Sequence, residues 1–169
     1  AQESRGLGDV YKRQTVGSPL VQHPKVRMVS LTGSIATGAN IIANTAESVK
    51  RMHMELGGKA PVIIFNDADI DAAVEGIRTF GFYNAGQDCT AACRIYAQAD
   101  IYDAFVEKLG AAVASIKYGL QDDPSTELGP LITAQHRDRV AGFVERAVAQ
   151  PHIRLITGGK AVELSLIHI

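Results

Sequence analysis

Short apolar runs rich in β-branched residues alternate with amphipathic stretches of helical period along nearly the whole chain, and that alternation confines it to the α/β class. Val26–Leu31, bounded by Pro24 and Gly33, reads as a strand. The pair Gly33-Ser34 then turns the chain into a helical stretch through Ile41, Ile42 and Ala46. Met52–Leu56 is apolar at alternate positions, as a strand would be, and Gly57-Gly58 breaks it. Pro61–Phe65 is continuously apolar, which predicts a strand covered on both faces. Asp67 and Asp69 offer caps to a helix that places Ile70, Ala73, Val74, Ile77 and Phe80 on one face. Arg94–Ala97 reads as another strand, after which Asp100 opens a helix striped by Ile101, Phe105, Leu109, Ala112, Val113 and Ile116. Asp122–Pro130 is a polar loop. Thr133 caps a helix with Val140, Phe143, Val144, Ala147 and Val148 inward, and Ile153–Thr157 closes the series as a strand. No internal repeat or low-complexity segment interrupts the pattern.

Bulk properties narrow the function. The chain has 169 residues and a net charge of −1, which leaves no electrostatic footprint for nucleic acid or an anionic lipid surface. No apolar run approaches the length of about 18 residues that a membrane span needs. Two cysteines four positions apart make no disulfide framework and read as free thiols of a reducing, cytoplasmic compartment. Residues 1–14 lack periodicity, and Leu164–Ile169 is an apolar stop with no cap. Both ends are expected to be non-native, with the chain starting and stopping inside something larger.

Two short stretches carry chemistry. In Gly86-Gln87-Asp88-Cys89 the cysteine follows a glycine loop and precedes a strand; a free cysteine in such a place is more often buried structure than a nucleophile. In Glu55-Leu56-Gly57-Gly58-Lys59 a carboxylate ends an apolar strand; alone it reads as an exposed strand-end charge. Together they offer a thiol to attack a carbonyl and a base for water. The five histidines, His23, His53, His136, His152 and His168, show no ligand spacing, and there is no case for a metal.

Met54–Pro61 resembles the glutamate signature of the aldehyde dehydrogenase superfamily, and Phe82–Arg94 resembles its cysteine signature. Leu31-Thr32-Gly33-Ser34, with Gly38 four residues on, resembles the family's cofactor-binding strand, turn and helix. The three motifs stand in the family's order, with Glu55 and Cys89 at its spacing, and the resemblance covers about Thr15 to Val162. Within the family the middle of the chain is most similar to the bacterial gamma-aminobutyraldehyde dehydrogenases of the aminoaldehyde and betaine-aldehyde group.

The resemblance implies an aldehyde dehydrogenase-like α/β fold. Residues 15–56 would be the end of a Rossmann-like NAD-binding domain and residues 57–163 the first part of the catalytic domain. It implies that Cys89 adds to an aldehyde to give a thiohemiacetal and then a thioester, while Glu55 activates water to hydrolyse it. The Cys89 N–H matches one half of the oxyanion hole; the other half is an asparagine of the family upstream of this segment, and Asn84 is a different, structural position. Thr32, Gly33, Ser34, Gly38 and the Leu56 carbonyl match NAD contacts. Asp88, uncharged in many relatives, would face the substrate and attract a cationic tail such as that of 4-aminobutanal, or would be a solvated loop charge. It would also disfavour a Cys89 thiolate through like charge. Tyr83 and Phe82 match tunnel or core aromatics. The parent enzyme is expected to be a homo-oligomer, a dimer or tetramer, acting on a small aldehyde, with no nucleic-acid or membrane partner.

Two other readings stand beside this one. The chain is a truncated, non-catalytic relative that keeps the fold, or it is a cysteine hydrolase, which would need a histidine paired with Cys89. Betaine aldehyde or another aldehyde remains open as the substrate.

Overall fold

A computed structural model describes residues 16–161; the expected leader and tail lie outside these described residues. The chain divides into two compact units, one ending at Gly58 and the other starting at Lys59.

The first unit is a βαβ element. A short helix α1 (Ser18–Gln22) leads into β1 (Met28–Gly33), helix α2 (Ile35–Thr45), a 3-10 turn (Ala46–Ser48) and β2 (Arg51–Leu56). The strands run parallel, in register from Met28 opposite Arg51 to Gly33 opposite Leu56. Parallel neighbours need a crossover, and α2 supplies it. Burial alternates along both strands: Val29, Leu31, Met52, Met54 and Leu56 lie on the more covered face, and Ser30, Thr32, Arg51, His53 and Glu55 on the exposed one. Lys50, a buried lysine, donates from Nζ to the His23 and Val26 carbonyls at 2.7 Å each, tying the segment that enters β1 to the start of β2.

The second unit begins with β3 (Ala60–Ile64), followed by α3 (Ile70–Phe82), a 3-10 turn (Tyr83–Gly86), β4 (Ala92–Ala97), α4 (Ala99–Ala114), a long loop and α5 (Ala134–Val148). Strands β3 and β4 are parallel, with a register slip between Ala60 and Pro61. The slip falls where proline offers no N–H to the ladder. Asp69 caps α3 by accepting from Ala72 N–H at 3.0 Å, and Thr133 caps α5 by accepting from His136 N–H at 3.1 Å. The core gathers Ile64, Val74, Ile77, Ile101 and Phe105, with Val62, Ile95, Ala97 and Leu109 packed around it.

Several expectations change here. The β3 run is covered on one face only among the described residues: Val62 and Ile64 face the core, whereas Ile63 is 64% and Phe65 62% exposed. Phe80, expected on the inner stripe of α3, is 65% exposed, because only Val74 and Ile77 of that helix are fully covered. Helix α4 starts one residue before Asp100; Gln98 holds the cap position, and Asp100 sits in the first turn, where its charge suits the helix dipole. No residue of α5 is buried, and Phe143 and Val148 face outward. Ile153–Thr157 forms no strand, since no described strand stands beside it to accept its backbone. It runs instead as an irregular segment, with Ile156 so close to α4 that a Cβ at Gly110 would lie 2.8 Å from its Cγ2.

Candidate active site

The candidate residues fall into two groups, one in each unit. In the first, the end of β1 delivers Thr32 and Gly33 to the N-terminus of α2. Ser34 is the helix cap: its Oγ accepts from Thr37 N–H at 3.2 Å and lies 2.9 Å from Thr37 Oγ1. The first N–H groups of a helix have no acceptor within it, so those of Ile35 and Ala36 point out of the end, and no acid sits in the first turn to take them. Gly38 is buried, and a Cβ there would lie 3.0 Å from Leu56 Cδ2 and 3.1 Å from Cδ1, so this glycine lets the end of β2 close onto α2. Gly33 differs. Its added Cβ would make only ordinary contacts with Leu31, so nothing within the unit requires glycine there.

Glu55 stands opposite Thr32 on the exposed face of the strand pair. Its Oε1 lies 3.3 Å from His53 Nε2, with the two side chains 59% and 57% exposed, and His53 Nδ1 is 3.0 Å from Ser30 Oγ. The three side chains form a row across the two strands. Metal-ligand spacing does not mark His53; the signal that finds it is its two-residue offset from Glu55 inside one strand, which puts both on one face.

In the second unit, Cys89 sits between α3 and β4 on a turn with unusual backbone. Asn84, Ala85 and Gly86 all have left-handed φ, at 51°, 56° and 73°. Asparagine and glycine tolerate this region, but an alanine there costs about 1–2 kcal/mol. Such strain persists where the surroundings over-determine the turn, and they do here. Gln87 N–H and Nε2–H both donate to the Asn84 carbonyl, at 3.2 and 3.1 Å, while Asn84 Nδ2–H returns to the Gln87 carbonyl at 3.3 Å. Behind the turn, a Cβ at Gly81 would lie 2.9 Å from the Ala92 carbonyl oxygen, so α3 presses against the start of β4.

Asp88 is folded into the same turn. Its Oδ1 accepts from Thr90 N–H and Thr90 Oγ1–H, both at 3.0 Å. These two bonds, the backbone one foremost, hold its carboxyl below the usual aspartate range, and a hydrogen bond from the Cys89 thiol adds to them. Cys89 and Cys93 are both free and exposed. Tyr83 is exposed and, with Phe82, lines an open cleft of about 450 Å³ between the end of α3 and the 116–130 loop. Neither Cys89 nor Asp88 lines that cleft. Its wall includes the Arg78–Glu127 pair, a two-pronged contact at 2.7 and 2.8 Å that fastens α3 to the loop. No group of histidine, cysteine and acid side chains able to hold a metal occurs among the described residues. No helix among them is long and apolar enough to cross a membrane.

The chain is similar to known proteins. The model of the aldehyde dehydrogenase family matches residues 10–166. Betaine aldehyde dehydrogenase 2 of Rhizobium meliloti is 44% identical over 143 residues, covering 85% of this chain and 28% of that protein. Lactaldehyde dehydrogenase of Escherichia coli is 44% identical over 151 residues, covering 89% of this chain and 31% of that protein. A crystal structure of betaine aldehyde dehydrogenase from Staphylococcus aureus in complex with NAD+ superposes with a TM-score of 0.82 at 40% identity, over 88% of this chain and 29% of that one. The chain thus spans about 30% of the length of the relatives it matches. On the strength of the family match and these likenesses, the chain belongs to the aldehyde dehydrogenase family and has its α/β fold.

Proposed function

We propose that the whole protein oxidises a small aldehyde to its acid with NAD+, and that this chain supplies the nucleophile, the base and one cofactor-binding helix end. The observation that carries the reading is Cys89 itself: an exposed thiol just after a strained turn locked by its own hydrogen bonds. The domain boundary follows the same reading, with residues 15–56 belonging to the cofactor domain and 57–163 to the catalytic domain.

The donor set at the α2 N-terminus fits a dinucleotide pyrophosphate: open backbone N–H groups, the positive end of a helix dipole and no competing acid. Thr32 and Ser34 flank it with hydroxyls, Gly33 leaves room for close approach, and Gly38 with Leu56 fixes the helix against β2. When bound, NAD+ supplies the hydride acceptor. Everything else falls to the chain. Cys89, once relieved of its proton, attacks the aldehyde carbon, and its own backbone N–H faces the oxygen that becomes negative. Loss of hydride leaves a Cys89 thioester. Glu55 then takes a proton from water, the hydroxide adds to the thioester, and the acid departs with the thiolate as leaving group.

For the substrate we infer an aldehyde with a cationic tail, 4-aminobutanal or betaine aldehyde, because the ionised Asp88 stands next to the nucleophile. Two of the relatives above are named for betaine aldehyde, which favours that member of the pair as much as the aminoaldehyde. Tyr83 is assigned to the same substrate approach. NAD+, the aldehyde and a second copy of the protein are the partners in this reading, and the cytoplasm is its compartment.

The test is kinetic, in the full-length protein. Cys89→Ala should abolish NADH formation. Glu55→Gln should slow the steady state by about 10²-fold or more while a pre-steady-state burst of NADH survives. Asp88→Ala should raise KM several-fold for the cationic aldehydes and leave a neutral aldehyde of similar length unchanged. Near-normal turnover by Cys89→Ala would remove the nucleophile assignment.

A further inference from the structure

Ser30 and His53, which form a row with Glu55, are unused by the chemistry above. All three side chains lie on the exposed face of β1 and β2, and the parallel register places Ser30 directly opposite His53. Ser30 Oγ is 3.0 Å from His53 Nδ1, and His53 Nε2 is 3.3 Å from Glu55 Oε1. The hydrogen-bonding roles follow from the end of the row. An ionised carboxylate only accepts, so Nε2 must carry the hydrogen that faces it. In a neutral imidazole Nδ1 is then the acceptor, and Ser30 must donate to it. A single tautomer satisfies the whole row. The remaining outward residues of the face are Met28, Thr32 and Arg51, so the imidazole is the ring closest to the carboxylate on its own strand. The 3.3 Å separation is longer than a full hydrogen bond, as catalytic contacts commonly are before substrate is in place.

We propose that His53, held in one tautomer by Ser30, is a positioning residue for Glu55: it fixes the rotamer from which the carboxylate takes a proton from water. The proposal rests on Glu55 being the general base. A glutamate has three side-chain torsions, and an exposed one samples many rotamers of which few aim at a bound thioester. A donor on the same strand face, two residues away, selects among them without occupying the oxygen that receives the proton. His53 therefore acts on thioester hydrolysis and leaves carbonyl addition and hydride transfer alone.

Rapid mixing of the full-length enzyme with NAD+ and whichever of 4-aminobutanal or betaine aldehyde it turns over faster separates the two stages. The burst rate reports hydride transfer, and the linear phase after it reports thioester hydrolysis. His53→Ala should slow the linear phase about ten-fold, with an unchanged burst rate and a burst of about one NADH per subunit. His53→Gln, whose Nε2–H reaches the same place, should recover most of that loss. Ser30→Ala should show the same split with a smaller effect, and it decides the matter if His53→Ala does not fold. In a Glu55→Gln background, His53→Ala should add nothing. An unchanged linear phase in both His53→Ala and Ser30→Ala overturns the proposal. So does an equal slowing of burst and linear phase, or a loss that glutamine does not restore, since either marks a structural role. If Glu55→Gln itself leaves hydrolysis intact, the base assignment falls first, and that result is distinct from the others.

Discussion

The two units solve the same local problem with different resources. Each is a parallel strand pair with a helical crossover, but only the second adds a further packed helix and closes a core. There α3 and α4 cover Ile64 and bury Val74, Ile77, Ile101 and Phe105 between them. The first unit has one helix of length, and among its described residues only Val29, Gly38, Thr45 and Lys50 are buried. A two-stranded sheet relies on packing against helices for its stability, and here one helix of length supplies it. The lesson concerns where each kind of function is placed. The strained turn before the proposed nucleophile hangs from an element that can hold it, whereas the proposed cofactor end of α2 hangs from a strand pair with few buried residues.

The contrast is tested hardest at Phe105, which is 3% exposed at the centre of the second core. Phe105→Ala should cost about 3–5 kcal/mol through lost burial and the cavity left behind. In urea unfolding of the 169-residue chain it should abolish the cooperative transition. Val29→Ala, in the first unit, should shift that transition little. Comparable losses from both would mean that the first unit has a core of its own and that the two are not different in kind.

Acid should act on the second unit through three carboxyls that its structure holds below their usual range. Glu127 is lowered first by the Arg78 guanidinium and then by Lys117 N–H. Asp123 is lowered by Ser125 N–H and Oγ–H, and Asp88 by Thr90. The same pairing raises Arg78, which stays charged throughout. A carboxyl with a depressed folded-state value binds fewer protons folded than unfolded. Its contribution is therefore present above the unfolded value, about 4, and is lost as pH falls through the folded one. The melting temperature of the second unit should decline from about pH 4 downward, and Glu127→Gln should flatten that decline while lowering the plateau slightly. A decline of unchanged slope in Glu127→Gln would show that the Arg78 contact does not set the acid limb.

Much of this was legible in residue order. The alternation of period-two and helical runs locates β1 to β4 and the long helices, and Asp69 and Thr133 cap where a short polar side chain precedes an apolar stripe. What was not legible depends on partners distant in sequence. An apolar stripe says that Phe80 and Phe143 can be buried, but not what in this piece lies over them; both stay exposed, and Phe143 carries the Arg146 guanidinium 4.6 Å from its ring centroid. Ile153–Thr157 has strand composition, yet composition cannot supply a neighbouring strand. The left-handed run at 84–86 was hidden because Ala85 is a residue that ordinarily avoids it, and only the Asn84–Gln87 bonds explain its presence. The His53–Glu55 contact needed the strand and its face, not a motif.

The smallest effect lies in the first unit and tests whether local constraint, rather than a core, sets its geometry. Val49 follows the 3-10 turn with φ 45° and ψ 47°, a left-handed conformation that β-branched residues rarely adopt, and its side chain is 87% exposed. No packing is lost on removing it. Val49→Gly relieves strain of about 1–2 kcal/mol and gives back roughly 0.5–1 kcal/mol in unfolded-chain entropy. The balance is a gain of about 0.5–1 kcal/mol. It should appear as slower amide exchange along β2, because the turn leads directly into Lys50, whose ammonium holds the His23 and Val26 carbonyls, and Arg51 N–H then donates to the Arg27 carbonyl at 3.0 Å. Exchange in the second unit should not move. Faster exchange along β2 in Val49→Gly would mean that the stiffness of valine, strain included, is what aims Lys50, and that the first unit loses order when its one rigid corner is relaxed.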